Sequence, residues 1–224
     1  MSKSQTVFLT GGSRGIGAAI RHELNGSGYQ VIAPSREELD LSSGESVEAY
    51  LASLPDVSVD VLINNAGVND PRIIGDIASE IWTKTFQVNV ASALRLTQFF
   101  APGMALRGYG RILNTSSILA SVTKEGRAVY SMTKAALDAL TRSAAVEFGP
   151  KGVLVNSLAP GYVDTELTHR NNAPAAIEKI NCSIPLRRMA APQELAKVAL
   201  FLVSKDNTYI TGQTIVADGG FTCL

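Results

Sequence analysis

Short apolar runs alternate with helix-forming segments along the whole chain, and this rhythm constrains the fold more than any single residue does. Six runs have strand character: Thr6–Leu9, Gln30–Ala33, Val59–Ile63, Arg111–Thr115, Leu154–Leu158 and Thr214–Ala217. Val61-Leu62-Ile63 and Val153-Leu154-Val155 are uninterrupted apolar stretches, the pattern of parallel strands buried on both faces. Helical patterns begin near Gly15, Ser79, Arg127 and Pro192. The last has proline near its first position and Glu194 in its first turn, both helix-start signals. Alternation this regular predicts an α/β doubly wound parallel sheet, layered α/β/α, with its ligand at the carboxyl ends of the strands. No low-complexity stretch or linker interrupts the 224 residues, so one domain over 1–224 is expected, and an apolar fraction of 46% suffices for its core.

Twenty basic residues balance twenty acidic ones, which argues against a nucleic-acid or membrane-surface partner held by bulk charge. Cys182 and Cys223 form no CxxC or Cys/His cluster, and His22 and His169 have no partner at metal-ligand spacing. Neither a metal site nor a disulfide framework is expected. The start, Met1–Gln5, is polar and runs straight into Val7-Phe8-Leu9, without the pattern of a signal peptide or spanning segment. The expected location is a reducing compartment, the cytoplasm.

The first strand-like run leads into Thr10-Gly11-Gly12-Ser13-Arg14-Gly15-Ile16-Gly17, and a helical pattern follows. Glycines there allow a tight turn and let the backbone approach a pyrophosphate at the helix N-terminus. The spacing is T-G-x-x-x-G-x-G, and the lysine and hydroxyl that close a P-loop are absent. Further on, Tyr130 and Lys134 lie four apart in a helix-forming run and so share a face. A phenol titrates near ~10 and is a poor acid or base at neutrality. A neighbouring ammonium favours phenolate and brings it toward general acid–base use. Such pairs are common by chance; this one gains meaning from the rest of the chain.

The glycine loop, Asn64-Asn65-Ala66-Gly67 after another strand, and Tyr130-x-x-x-Lys134 occur in one order over essentially the whole chain. Together they resemble the short-chain dehydrogenase/reductase family. The closing run Tyr209–Gln213 through Asp218–Phe221, with Ile184–Met189, is similar to its β-ketoacyl-acyl-carrier-protein reductase branch. The resemblance implies a Rossmann fold and a ketoreductase that moves hydride between nicotinamide and a carbonyl or secondary alcohol. It implies a catalytic set of Asn89, Ser117, Tyr130 and Lys134. Ser117 stands thirteen positions before Tyr130, where the family's serine polarises the substrate carbonyl; Ser116 is the neighbouring alternative. Lys134 is implied to bind the nicotinamide ribose as well as to keep Tyr130 acidic, and Asn89 to support a water-linked proton relay. Cofactor contacts are implied in the loop at Gly11, Ser13, Arg14, Gly15, Ile16 and Gly17. Others are implied at Ser35, Arg36, Asp40 and Leu41, at Asn65, Ala66 and Gly67, and at Pro160, Gly161, Val163 and Thr165, besides Tyr130 and Lys134.

The second strand-like run ends in Ala33-Pro34-Ser35-Arg36. A carboxylate there would bind a 2′-hydroxyl and reject a 2′-phosphate, whereas a guanidinium pairs with phosphate. NADP (as NADPH) is therefore the expected cofactor, with NAD less favoured. Arg14 is a second candidate contact, and Glu37 or Glu38 could instead pair with Arg36. Only three residues separate Arg36 from Asp40, so a helix that relatives carry there is expected to be missing, the next helix running from about Ser43 to Leu54. Lys124-Glu125-Gly126-Arg127 departs from the small or apolar residues of relatives. Its charges either face solvent, the expected case, or meet an anionic substrate.

A substrate loop is expected near 165–185, and the substrate is a small molecule or an acyl thioester, a 3-oxoacyl thioester being one candidate. Arg107 and Lys151 are candidate carrier-protein contacts or ordinary surface charges. A homo-oligomer, tetramer or dimer, is implied, and the small apolar runs Ala135-Ala136-Leu137 and Ala144-Ala145-Val146 suit close helix packing. Two other readings stand. A non-catalytic nucleotide-binding regulator of the same fold would need none of the four catalytic positions. A nucleotide-sugar reductase would carry a T-G-x-x-G-x-x-G loop and a larger C-terminal region, which this chain lacks.

Overall fold

Residues of alternating direction along each strand bury two separate apolar layers, and a single sheet lies between them. The computed structural model describes residues 4–54, 57–171 and 173–223. Met1–Lys3 of the polar start and Asn172 of the expected substrate loop lie outside the described residues. The strands are β1 Thr6–Leu9, β2 Gln30–Ile32, β3 Val61–Asn64, β4 Gly110–Thr115, β5 Val153–Pro160 and β6 Thr214–Ala217. All pair in parallel, in the order β2-β1-β3-β4-β5-β6. Phe8, Leu62, Ile112 and Val155 point to one face, where they meet α2 Gly44–Ser53, α4 Ser92–Leu106 and α5 Ala128–Phe148. Val7, Leu9, Ile63 and Leu113 point to the other, against α1 Gly15–Gly26 and α8 Pro192–Val203. This is the expected doubly wound, three-layer architecture, and the period of two along each strand is what divides the core.

The chain leaves β1 toward β2 on one side and returns to place β3 on the other. The carboxyl ends of β1 and β3 therefore flank the crevice where the strand order reverses, the site at which open α/β sheets bind ligands. β2 is followed by a turn, closed by the Leu39 N–H donating to the Ser35 carbonyl at 3.0 Å, and no helix precedes α2. The missing helix is thus a feature of the fold. Ser43 caps α2 by accepting from the Ser46 N–H, and this cap fixes the start of that helix.

The helix expected near Ser79 proves to be two. α3 Ser79–Phe86 continues through a π turn, Gln87–Ala91, directly into α4. A π turn inserts one residue into a helix and recurs at functional sites; here it contains Asn89. Two short helices, α6 Glu166–Asn171 and α7 Pro174–Ser183, form the segment after β5. No helix among the described residues is long and apolar enough to cross a membrane.

Candidate active site

The glycine loop is a close-packed junction. Gly11 and Gly15 have φ of +68° and +55°, left-handed values that favour glycine. A Cβ on Gly17 would collide with the Gly11 carbonyl oxygen and come within 2.5 Å of Asn65 Nδ2. Asn65 holds the loop from the β3 side, donating to the Thr10 and Gly11 carbonyls at 3.1 Å each. Thr10 Oγ1 in turn accepts from the Asn65 and Ala66 N–H groups, at 3.0 and 3.1 Å. This threonine clamp was not among the expected site residues, because a buried hydroxyl in a turn has no distinctive spacing. The α1 N-terminus has neither a side-chain cap nor an acidic residue in its first turn. Its N–H groups are thus left for an anion, with the positive end of the helix dipole behind them. Thr165 borders the same place, its Cγ2 3.6 Å from where a Gly15 Cβ would stand, while its hydroxyl meets the Thr168 hydroxyl at 3.1 Å.

A cleft of about 430 Å³ runs from this loop along the sheet edge. It is lined by Gly11, Ser13, Arg14, Gly15, Ile16, Arg36, Asp40, Leu41, Asn65, Ala66, Gly67, Tyr130, Lys134 and Thr165, all expected cofactor positions. Gly17 and Ser35 do not line it. Gly17 packs under the loop, and Ser35 is tied to Glu38, whose carboxylate accepts from the Ser35 N–H at 2.7 Å. Lys84, unexpected from the sequence, also lines the cleft and favours the ionised form of Asp40. Arg36 pairs with Asp40 at 3.8 Å rather than with Glu37 or Glu38. An uncapped helix end, a glycine cradle that admits no side chain and cationic groups at the far end suit a dinucleotide.

At the inner end of the cleft, α5 presents Tyr130 and Lys134 from its first two turns. Lys134 is 3% exposed and donates to the Thr115 carbonyl at 2.6 Å. Burial pushes its ammonium down to about 8, with Asp138 one turn further on acting the other way. Its Nζ lies 5.4 Å from the centre of the Tyr130 ring. The phenol differs from expectation: burial raises its pKa, while the Ser117 hydroxyl, hydrogen-bonded to it, and the Arg127 guanidinium pull it down. Two cations thus flank the phenol: Arg127, which favours its ionised form, and Lys134 over its ring. Ser117 faces the same cavity, its Oγ accepting from the Leu119 N–H at 3.1 Å. Ser116 donates instead to the Lys134 carbonyl at 3.3 Å, holding the start of α5 to the end of β4.

Asn89, 1% exposed, accepts from the Val68 N–H at 2.8 Å and donates to the Val68 carbonyl and to Thr133 Oγ1, both at 3.0 Å. It therefore ties the π turn to the segment after β3 and to α5, beneath the tyrosine and lysine. A second cavity of about 200 Å³ adjoins the cleft at Ile16, Asn69, Thr115, Tyr130 and Thr165. Pro160, Gly161 and Val163 line it, as do Lys124 and Arg127. The expectation that the charges before Tyr130 face solvent holds for Lys124 and Glu125, which are exposed, although Lys124 also borders the space in front of the phenol; Arg127 is part-buried there. Their side-chain direction depends on the loop fold before α5, which spacing does not reveal. Gly161 approaches Asp218 so closely that a Cβ would lie 2.7 Å from its Cα, which explains the glycine at the end of β5.

A family model described as enoyl-(acyl carrier protein) reductase matches residues 36–222. The acetoacetyl-CoA reductase of Rhizobium meliloti (strain 1021) is 35% identical over 236 residues, covering 97% of this chain and 98% of that protein. The 3-oxoacyl-acyl-carrier-protein reductase of Vibrio cholerae serotype O1 is 32% identical over 238 residues, with 97% of each covered. The crystal structure of a gluconate 5-dehydrogenase from Burkholderia cenocepacia J2315, in complex with NADP and tartrate, superposes with a TM-score of 0.92 at 27% identity, covering 98% of this chain and 96% of that one. With such likeness sustained over nearly the whole length, the chain belongs to the short-chain dehydrogenase/reductase family, in its β-ketoacyl-acyl-carrier-protein reductase-like group, and is an oxidoreductase acting on a carbonyl or the matching secondary alcohol.

Proposed function

We propose that the protein is an NADPH-dependent ketoreductase in which Tyr130 gives the proton, Ser117 steadies the reacting oxygen and Lys134 holds the nicotinamide ribose. The observation that carries this reading is the joining of two cavities at Tyr130, one lined by the glycine loop and one containing Ser117. Bound nicotinamide supplies the hydride. As negative charge develops on the carbonyl oxygen, the Ser117 and Tyr130 hydroxyls are positioned to donate to it, and the Tyr130 proton completes the alcohol. Lys134 keeps one N–H on the Thr115 carbonyl, which leaves others for ribose hydroxyls. Asn89 acts through Val68 and Thr133, fixing the floor under the phenol.

For the cofactor, Arg36 at the adenosine end supports NADPH over NADH, since its weak, exposed pairing with Asp40 is easily exchanged for a phosphate. Homo-oligomerisation is part of the reading. So is a cytoplasmic location, supported by the two exposed, unpaired cysteines, Cys182 and Cys223. The test follows NADPH and NADH oxidation with a panel of 3-oxoacyl thioesters, sugars and small ketones, in the natural protein and in Tyr130→Phe. Turnover should collapse in the variant by about 100-fold or more, while nicotinamide binding is kept. Near-normal reduction by Tyr130→Phe overturns the assignment, and nicotinamide binding without turnover on any carbonyl would favour a regulator.

A further inference from the structure

The cavity in front of Tyr130 is charged in a way that carbonyl reduction alone does not require. Arg127 precedes α5 immediately, and its Nε is buried without a hydrogen-bond partner. Lys124 lines the same cavity, donating to the Tyr162 hydroxyl at 3.3 Å and lying 5.3 Å from the centre of that ring. Neither takes part in an ion pair among the described residues. Two carboxylates in the neighbouring loops are engaged elsewhere, Asp70 with Arg72 at 3.3 Å and Asp164 with His169 at 2.5 Å, and Glu125 is exposed and does not line the cavity. Asn69 Oδ1, also buried and unpartnered, adds an acceptor. A buried guanidinium nitrogen with no acceptor is costly unless a ligand supplies one, and a planar fork of donors matches an oxyanion.

On this basis, resting on the ketoreductase reading above, we propose that the substrate is a small anionic carbonyl compound whose carboxylate or phosphate is bound by Arg127 and Lys124. The cavity, about 200 Å³, accommodates a short carbon skeleton against Ile118 and Val163. Arg127 favours the ionised form of the Tyr130 phenol, so an anion seated on it is within electrostatic reach of the reacting oxygen. A neutral substrate would leave Arg127 Nε unpaired, and this sets the direction of selectivity.

The experiment measures kcat/KM with NADPH for matched pairs: 2-oxo and 3-oxo carboxylates against their methyl esters, and fructose 6-phosphate against fructose. The charged member of at least one pair should be preferred by about tenfold or more, the effect of one charge-assisted hydrogen bond. Which pair responds separates carboxylate from phosphate. Arg127→Met should remove most of that preference, mainly through KM, Arg127→Lys should restore part of it, and Lys124→Gln should reduce it without touching a buried group. Reduction of the neutral members with no preference for charge, or a preference unchanged in both Arg127→Met and Lys124→Gln, overturns this proposal and leaves the ketoreductase reading standing. Tight nicotinamide binding with no reduction of any carbonyl, a neutral diketone included, overturns that reading and this proposal with it.

Discussion

Lys134 combines a charge with almost complete burial, and two effects oppose each other there. Desolvation depresses its pKa to about 8, while the 2.6 Å bond to the Thr115 carbonyl favours the ammonium. The unfolded lysine titrates near 10.5, so the folded state disfavours the proton. The penalty is complete below pH 8 and is relieved as pH rises from there to 10.5. Lys134→Met, which keeps the length of the chain without its charge, should therefore stabilise the nicotinamide-free protein at pH 7 by up to about 3 kcal/mol. The gain should shrink toward zero near pH 10.5. Urea unfolding at the two pH values measures it, and a variant less stable than the parent at pH 7 shows that the Thr115 bond outweighs desolvation. Arg36 is the opposite case, with its side chain 76% exposed and paired with Asp40 at 3.8 Å. Arg36→Asp should lower the ratio of kcat/KM for NADPH to that for NADH by about tenfold or more, one lost charge-assisted contact; an unchanged ratio removes Arg36 from cofactor choice. At this scale, helical spacing revealed Tyr130 and Lys134 as neighbours, while Ser117 was placed beside them by the family resemblance. The sequence did not reveal that Arg127 also acts on the phenol, since that depends on how the loop before α5 folds.

Among the elements, strands were the most legible because their short apolar runs stand out between helical patterns: β1 and β6 match their expected spans residue for residue, and the others shift only at their ends. The π turn at Gln87–Ala91 was not legible, since an inserted residue leaves no compositional mark. Its role can be tested through Asn89. Removing that side chain frees both polar groups of Val68 and takes one partner from the buried Thr133 hydroxyl, which keeps its bond to the Tyr130 carbonyl at 2.8 Å. Three hydrogen bonds of a buried side chain are lost together, so Asn89→Ala should cost about 1–3 kcal/mol. In a domain of this size that is several degrees in Tm, roughly 2–4 °C per kcal/mol. Calorimetry should show the drop, and turnover should fall because the floor under Tyr130 loosens. Stability and turnover both unchanged would mean that Asn89 is a passenger of the turn. The glycine loop makes a sharper test. A methyl at Gly17 meets the Gly11 carbonyl, which is backbone and cannot swing aside. Gly17→Ala should therefore weaken nicotinamide binding by about tenfold or more, as overpacking displaces the cradle. Fluorescence titration reads this directly, and unaltered affinity would show that the loop tolerates displacement.

For the whole molecule, the sheet order brings the glycine loop, the end of β3 and the start of α5 to one edge, while α4 and α5 lie side by side on one sheet face. Their outward surfaces leave Leu94, Phe99 and Val146 exposed, Val146 by 80%. Isolated exposed apolar residues are ordinary, but several on two adjacent long helices suit a surface that another copy covers. In solution the mass should be a multiple of 23.7 kDa. Leu94→Glu with Val146→Glu should shift it toward that value, because an unpaired carboxylate in a closed interface is strongly disfavoured. Both positions are already solvent-facing in the single chain, so its fold should survive, which circular dichroism can check. α4 continues from the π turn that contains Asn89, and α5 carries Tyr130 and Lys134. Dissociation should therefore lower turnover as well as mass, the two falling together as the protein is diluted. Sedimentation measured alongside activity decides the matter: a natural chain that is monomeric at working concentration, or a double variant that keeps its mass, places the interface elsewhere or removes it.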